Sequence, residues 1–479
     1  MNEDTHNECD FGRSQIATTR REFLARTGAG FGMLGLAGML QSNAQAASPF
    51  TVRNAQFAPK AKSVIFLFMY GGPSGFDLFD YKPDLDKFDG RKLDWKGELK
   101  PFSPNPGPLM KSPYAFKQYG QSGAWVSDKY PAVARCVDDI AFIKSCYAGS
   151  NNHAPALFQM NTGYIRVGYP SIGSWLTYGL GTENQNLPGY VVMYDPRGGP
   201  IGGPQNWGSG FLPSSYQATP LRSNGTPIIN LERQRGLNDE QQRAQLDLLA
   251  QLNQAHFEQH PGEADLSARI ESFELAYRMQ MAAPEAVEIA KENDETKQLY
   301  GLDQEKTKYF GSQLLIARRL VERGVRFVQV YSGGGHQQDS WDAHNGLIEN
   351  HDMHCAETDV PMAGLLTDLK RRGLLDSTLV IWGGEFGRLP VSQNGIGRDH
   401  NPDGFLMWMA GGGIKGGTSF GETDEVGYKA AVDPVSVNDL HATVLALSGI
   451  DHEKLTYTHN GRNFRLTDVA GNVLHKIIA

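Results

Sequence analysis

The sequence predicts an α/β protein with a largely parallel central sheet flanked by helices, and three observations predict it. Short, continuous apolar runs recur along the chain, amphipathic stretches separate them, and glycine-rich polar loops follow them. Composition agrees: of 479 residues, 40% are hydrophobic and 20% charged, which excludes a disordered chain, a fibrous repeat or a polytopic membrane protein. The net charge of −8 leaves no basic footprint for nucleic acid. The 55 glycines exceed the usual share of about 7%, as expected of a loop-rich enzyme.

Residues 1–46 read as an address rather than as fold. Paired Arg20-Arg21 precede Phe23-Leu24, a mild apolar stretch covers 27–40, and Ala44-Gln45-Ala46 supplies a small-residue cleavage site. This layout resembles a twin-arginine export signal, so the twin-arginine export machinery is an expected partner. The mature chain, 47–479, is then expected in the periplasm or secreted as a single domain. The apolar stretch is too short to span a bilayer of about 30 Å, so no transmembrane span is expected. Removal of Cys9 leaves Cys136, Cys146 and Cys355, too few for a disulfide scaffold, with Cys136–Cys146 the one bridge left open.

Residues 63–70 (SVIFLFMY) form the first apolar run and end in Gly71-Gly72-Pro73, as a strand buried on both faces would. Runs at 140–143, 190–194, 325–331, 378–382 and 405–409 are alike. Residues 314–321 carry an apolar stripe with arginines opposite, and 361–372 repeat that form. The 196–236 stretch, rich in Gly, Pro, Asn and Ser, reads as an ordered insertion or lid, and 237–300 as a helical hairpin packed on the sheet domain.

In an open α/β sheet, ligands bind beyond the carboxyl ends of strands, and the polar residues cluster there. Ser74 and Asp77 follow the first run as a candidate substrate contact and metal ligand, although a helix cap is equally compatible. Asn151-Asn152-His153 follow the second, with Asn152 a candidate substrate contact. His153 sits at a helix start, as a general acid/base, a ligand or a phosphate contact. The segment from Ser332 to His344 is the densest cluster, with His336 a candidate substrate contact and Asp342 and His344 candidate metal ligands. Glu385 is a further candidate ligand. Arg388 and Arg398 could hold a tetrahedral oxyanion bidentately, and His400 closes the set. His351, His354 and His441 lie in helical patterns and read as core or surface residues.

MYGGPSGFDLFD, NNHAPALFQMNTG, ARRLVERGVRFVQV, WDAH, LLDSTLVIWGGEFGR, GRDHNPDGF and TDEVG together resemble the bacterial domain of unknown function 1501 family over nearly all the mature chain. That family is in turn similar to the alkaline phosphatase–sulfatase superfamily. This second resemblance implies an alkaline phosphatase-like fold and divalent-metal cleavage of phosphate or sulfate esters. It places Glu385 and Phe386 at an Asp-His metal pair, Asp342/His344 at a second pair, and His400 at the final histidine ligand. His153 falls where the nucleophilic Cys or Ser stands, and Tyr70-Gly71-Gly72 where a metal-binding Asp is usual. The expectation is an exported, metal-dependent sulfatase- or phosphatase-like hydrolase using zinc, calcium or magnesium on a small-molecule or glycan ester. His153, Arg388 and Arg398 would be its catalytic residues. The alternatives are a binding protein for sulfated or phosphorylated glycans that has lost catalysis, or an envelope assembly protein.

Overall fold

In the computed structural model, which describes residues 50–92, 101–103, 106–222, 236–259 and 264–479, every apolar run named above is a strand of one sheet. The expected export signal, at 1–46, lies outside the described residues, as do 47–49, 93–100, 104–105, 223–235 and 260–263. The strands are β1 (Ser63–Met69), β2 (Ile140–Tyr147), β3 (Tyr190–Met193), β4 (Thr219–Pro220), β5 (Phe327–Ser332), β6 (Thr378–Gly383), β9 (Phe405–Ala410) and β10 (Thr418–Phe420). Between β6 and β9, β7 (Gly387–Gln393) and β8 (Gly397–Asn401) form a separate antiparallel ribbon. The sheet order is β10-β2-β9-β6-β1-β5-β3-β4, with β11 (Val435–Ser436) paired to β2. Only β9 runs antiparallel to its neighbours, β6 and β2. The largely parallel sheet expected from the sequence is therefore present.

Alternation along β1 splits the core into two layers. Ile65, Leu67 and Met69 face one and Val64, Phe66 and Phe68 the other. Helices α5 (Glu305–Glu322) and α6 (Leu347–Arg371) cover the first face, joined by Leu275, Met279 and Ala283 of α4 (Ala264–Val287). The second face carries α1 (His153–Thr162), α2 (Ile172–Leu180) and α7 (Val437–Leu447). The expected helical hairpin is α3 (Asp239–Gln259) followed by α4, tied by Arg243 Nη2 to Glu274 Oε1 at 2.6 Å. No helix among the described residues is long and apolar enough to cross a membrane.

The arginines opposite the apolar stripe of α5 are themselves covered. Arg318 is buried and reaches Glu292, Glu322 and Asp368 at 2.7–3.1 Å, because the segment after α4 and the helix α6 cover that face. All three described cysteines are buried and free, so no Cys136–Cys146 bridge forms.

Two polar ties fix α1, whose first residue is His153. Gln329, buried in β5, donates to Asn161 Oδ1 of α1 at 2.7 Å and accepts from the Tyr190 hydroxyl of β3 at 2.8 Å. His441 of α7 donates its Nε2–H to the Met160 carbonyl oxygen at 2.8 Å. Burial pushes the His441 pKa down to about 4, against about 6.5 for an unfolded histidine. The unfolded chain binds that proton more tightly, so the stability His441 supports is present above pH 6.5 and lost as pH falls toward 4. Chemical denaturation across this window should show wild type losing on the order of 3 kcal/mol more than His441→Gln. Parallel pH profiles would contradict the assignment.

Candidate metal centre

The carboxyl ends of β1, β2, β5 and β6, together with the β7–β8 ribbon, bring four distant side chains to one point. His153, Asp342, His344 and His400 place a ligand atom each within 4.8 Å of one another. Glycine makes the convergence possible at two places. A Cβ on Gly71 (φ 111°) would stand 2.6 Å from the backbone nitrogens of Trp341 and Asp342, so only glycine lets the Asp342 loop cross the end of β1. A Cβ on Gly397 would overlap the His344 carbonyl oxygen.

Asp342 is the hub. Its Oδ1 lies 2.9 Å from His344 Nε2 and 3.1 Å from His400 Nε2, and its Oδ2 lies 3.3 Å from His153 Nε2. Arg388 donates to Oδ1 at 2.8 Å. Burial acts to raise the Asp342 pKa, but Arg388 and the three imidazoles outweigh it and hold the carboxyl well below its usual range. Burial also opposes a charge on His153, yet Asp342 and Glu385 push that ring up to about 9. His400, buried beside Arg388 and His153, is pushed down to about 3.

The outer nitrogens decide what the centre can do. His153 Nδ1 lies 2.7 Å from Glu385 Oε1, His400 Nδ1 lies 2.7 Å from the Asn151 carbonyl oxygen, and His344 Nδ1 meets Gln393 Oε1. All three partners are acceptors, so each ring carries its proton on Nδ1 and, when neutral, turns an Nε2 lone pair inward. His344 Nε2 and His400 Nε2 are 2.8 Å apart, and the buried His153 Nε2 has no well-formed hydrogen bond. Three lone pairs and a carboxylate cannot face one another without a positive charge among them. Arg388 and a protonated His153 bring positive charge to Asp342, and a divalent ion would take the place of that proton. Histidines oriented by carboxylate and carbonyl acceptors are the usual outer shell of a metal site. Three imidazoles with one carboxylate suit zinc or a neighbouring transition ion better than the hard, oxygen-seeking calcium or magnesium also expected from the sequence.

The other sequence candidates lie elsewhere. Glu385 is not in the four-residue group. Fully buried, it accepts from the Gly71 N–H at 3.0 Å and orients His153 from behind. His153 Nδ1 is held by Glu385, and its Nε2 faces Asp342 Oδ2 at 3.3 Å within the four-residue group. Arg388 and Arg398 are buried and turned inward. Arg388 is spent on Asp342 and on the carbonyls of Gly71, Gly72, Trp341 and Arg398. Arg398 clasps Asp77 at 2.8 and 3.1 Å and packs over Phe76, and neither arginine is among the described residues that line the cleft over the centre. Asp77 lies outside the four-residue group. Ser74 donates its hydroxyl to Asp77 and its N–H to His351 Nε2, and it is not among the described residues that line the cleft. Ser74 stands at the start of the short helix Gly75–Leu78 but makes no side-chain cap hydrogen bond, and the loop is held instead by the buried Arg398–Asp77 pair. Asn152 caps α1, accepting from the Ala154 N–H at 3.3 Å, and lines the cleft over the centre. His336 is exposed and stands outside that cleft, whose wall takes Gln337 instead. The cleft, about 570 Å³, is also lined by Phe102, Ser103, Ile201, Asn345 and Gln393. Gln393 escaped sequence reading because a lone glutamine in a strand carries no local signal. Asn151 acts through its backbone, which side-chain chemistry does not reveal.

The family model for the protein of unknown function DUF1501 matches residues 61–478. The chain belongs to that family. No curated protein matches the sequence. Among solved structures it is similar to the PsFucS1 sulfatase from Pseudoalteromonas sp., at 14% identity and TM-score 0.31, covering 88% of this chain and 72% of that one. It is also similar to the phosphonate monoester hydrolase SpPMH from Silicibacter pomeroyi, at 12% identity and TM-score 0.33, covering 67% and 68%. A TAB5 alkaline phosphatase variant with magnesium bound is similar at 12% identity and TM-score 0.35, covering 81% and 98%.

Two measurements test the residue assignments. Glu385→Gln should weaken zinc affinity about 10- to 100-fold by calorimetry, while His344→Ala or His400→Ala abolishes stoichiometric binding. Unchanged affinity in all three would reject the centre. Arg398→Met leaves Asp77 buried and unpaired. It should lower unfolding free energy by about 3–5 kcal/mol, with the zinc stoichiometry of the folded protein intact. Loss of zinc from folded Arg398→Met would return Arg398 to the site.

Proposed function

We propose that the protein is a metal-dependent hydrolase of sulfate or phosphate esters, exported through its twin-arginine signal to the periplasm or beyond. The observation that carries this reading is the inward convergence of three Nε2 atoms on Asp342 at 2.9–3.3 Å, on the floor of an open cleft. His153, Asp342, His344 and His400 would hold one divalent ion, zinc being the best match to the donor set. Such an ion supplies Lewis-acid polarisation of an ester oxygen and lowers the pKa of water at its open position.

The chain's own residues set the conditions for that chemistry. Glu385, Gln393 and the Asn151 carbonyl fix the three ring tautomers. Arg388 keeps Asp342 ionised and its Oδ1 anchored. With both arginines turned away, an anionic group must be met by the ion and by the amino-terminal end of α1, whose dipole favours negative charge. A divalent ion with one carboxylate ligand presents a single net positive charge, the match for a singly charged ester such as a sulfate monoester or a phosphodiester. The described cysteines are buried away from the cleft, so water is the nucleophile best supported.

The test is a panel of aryl sulfates, aryl phosphates and bis-aryl phosphates, run after metal stripping and after reconstitution with zinc, manganese, calcium or magnesium. Turnover of singly charged esters restored by zinc, and lost in His344→Ala, is the expected result. Protein carrying one zinc per chain that hydrolyses none of the panel would overturn the hydrolase reading.

A further inference from the structure

Resting on that reading of the centre, we propose that His354 is a positioning residue for it, holding Asp342 in ligating geometry from the far side of its loop. Three polar side chains on the first turns of α6, those of Asn350, His351 and His354, are fully buried against the loops that follow β1 and β5. His354 Nε2 lies 2.9 Å from the Ser340 carbonyl oxygen and 3.1 Å from that of Gln338, so this nitrogen carries a proton and donates it. Asn350 Nδ2 donates to the same Ser340 oxygen at 2.7 Å. Between Ser340 and Asp342 stands Trp341. Its indole stacks on the His354 ring at a centroid separation of 5.0 Å and meets the His351 ring edge-on at 5.4 Å. His351 in turn accepts the Ser74 N–H, which ties the β1 loop to the same helix.

The energetics of this arrangement point to a task. Burying amide and imidazole groups is unfavourable unless their polar atoms are paired, and here Asn350 Oδ1 and His351 Nδ1 are not. Apolar side chains would pack α6 with less penalty, but they could not grip the two carbonyls. Next to those carbonyls Gln337 keeps a left-handed backbone, φ 51°, a conformation that persists only where its surroundings over-determine it. The grip is braced from behind. His354 Nδ1 faces Glu357 Oε2 at 3.5 Å, Arg197 bridges Glu357 and Asp195 at 2.7 and 2.8 Å, and Asp195 accepts the Gly333 N–H at 3.1 Å. The start of α6 and the ends of β3 and β5 thus form one support, which reaches Asp342 through the backbone of Ser340 and Trp341.

The experiment measures three things on the full chain: zinc affinity by calorimetry, the d–d bands of the cobalt-substituted protein, and melting temperature. His354→Leu should weaken zinc binding about 10- to 100-fold and shift the cobalt bands, as loss of an outer support does. His354→Gln, whose amide can donate to the same carbonyls, should return affinity to within a few-fold of wild type. Asn350→Ala removes the second donor to Ser340 and should weaken zinc about tenfold. Leu365→Ala opens a core cavity further along the same helix. It should lower the melting temperature while zinc affinity and cobalt bands stay as in wild type, which is how a merely structural residue behaves. Wild-type affinity and bands in His354→Leu overturn the proposal, as does equal weakening in Leu365→Ala. If His354→Leu does not fold, Asn350→Ala decides, and unchanged affinity and bands there overturn it. Wild type that binds no zinc removes the centre and this inference together, whereas zinc-loaded wild type with insensitive variants removes this inference alone.

Discussion

Asp342 sits amid three imidazoles whose outward nitrogens are already committed to acceptors, and that frustration organises everything around it. Each outer hydrogen bond fixes a tautomer, and each tautomer turns a lone pair toward the same carboxylate. Burial of Asp342 and His400 magnifies the conflict by lowering the local dielectric. Without a metal, a proton must do the work, which is why His153 holds its proton so far above the ordinary range while His400 loses it. A divalent ion would resolve these repulsions at once and would release that proton on binding.

The scaffold delivers these groups by a simple route. Parallel strands place successive loops at one edge of the sheet, so residues far apart in the chain arrive side by side. The approach is tight enough that backbone crosses backbone, and Gly71 and Gly397 are where side chains must be absent. The buried arginines serve this framework. Arg388 stitches the β1 loop, the Asp342 loop and the β7–β8 ribbon together, and Arg398 neutralises Asp77 beneath them.

Much of this was readable in the chain. Continuous apolar runs marked every core strand because strands covered on both faces cannot alternate. The Asp342–His344 cluster and His400 were visible because imidazoles and carboxylates dense in strand-end loops have few structural uses. Direction was not readable. Arg388, Arg398, Ser74 and Asp77 carry ligand-like chemistry, but the ribbon folds them inward to satisfy one another, and nothing in local sequence specifies that turn. Where the resemblance puts a metal-binding Asp, Tyr70-Gly71-Gly72 instead admits another loop. Gln393, Asn345 and Phe102 acquire meaning only from where the fold puts them.

The account stands or falls on the coordination sphere. X-ray absorption at the zinc edge of the loaded full chain should show three imidazole nitrogens and one carboxylate oxygen at about 2.0–2.1 Å, with the multiple scattering that imidazole rings produce. A shell containing sulfur near 2.3 Å, or oxygen ligands without imidazole scattering, would contradict it.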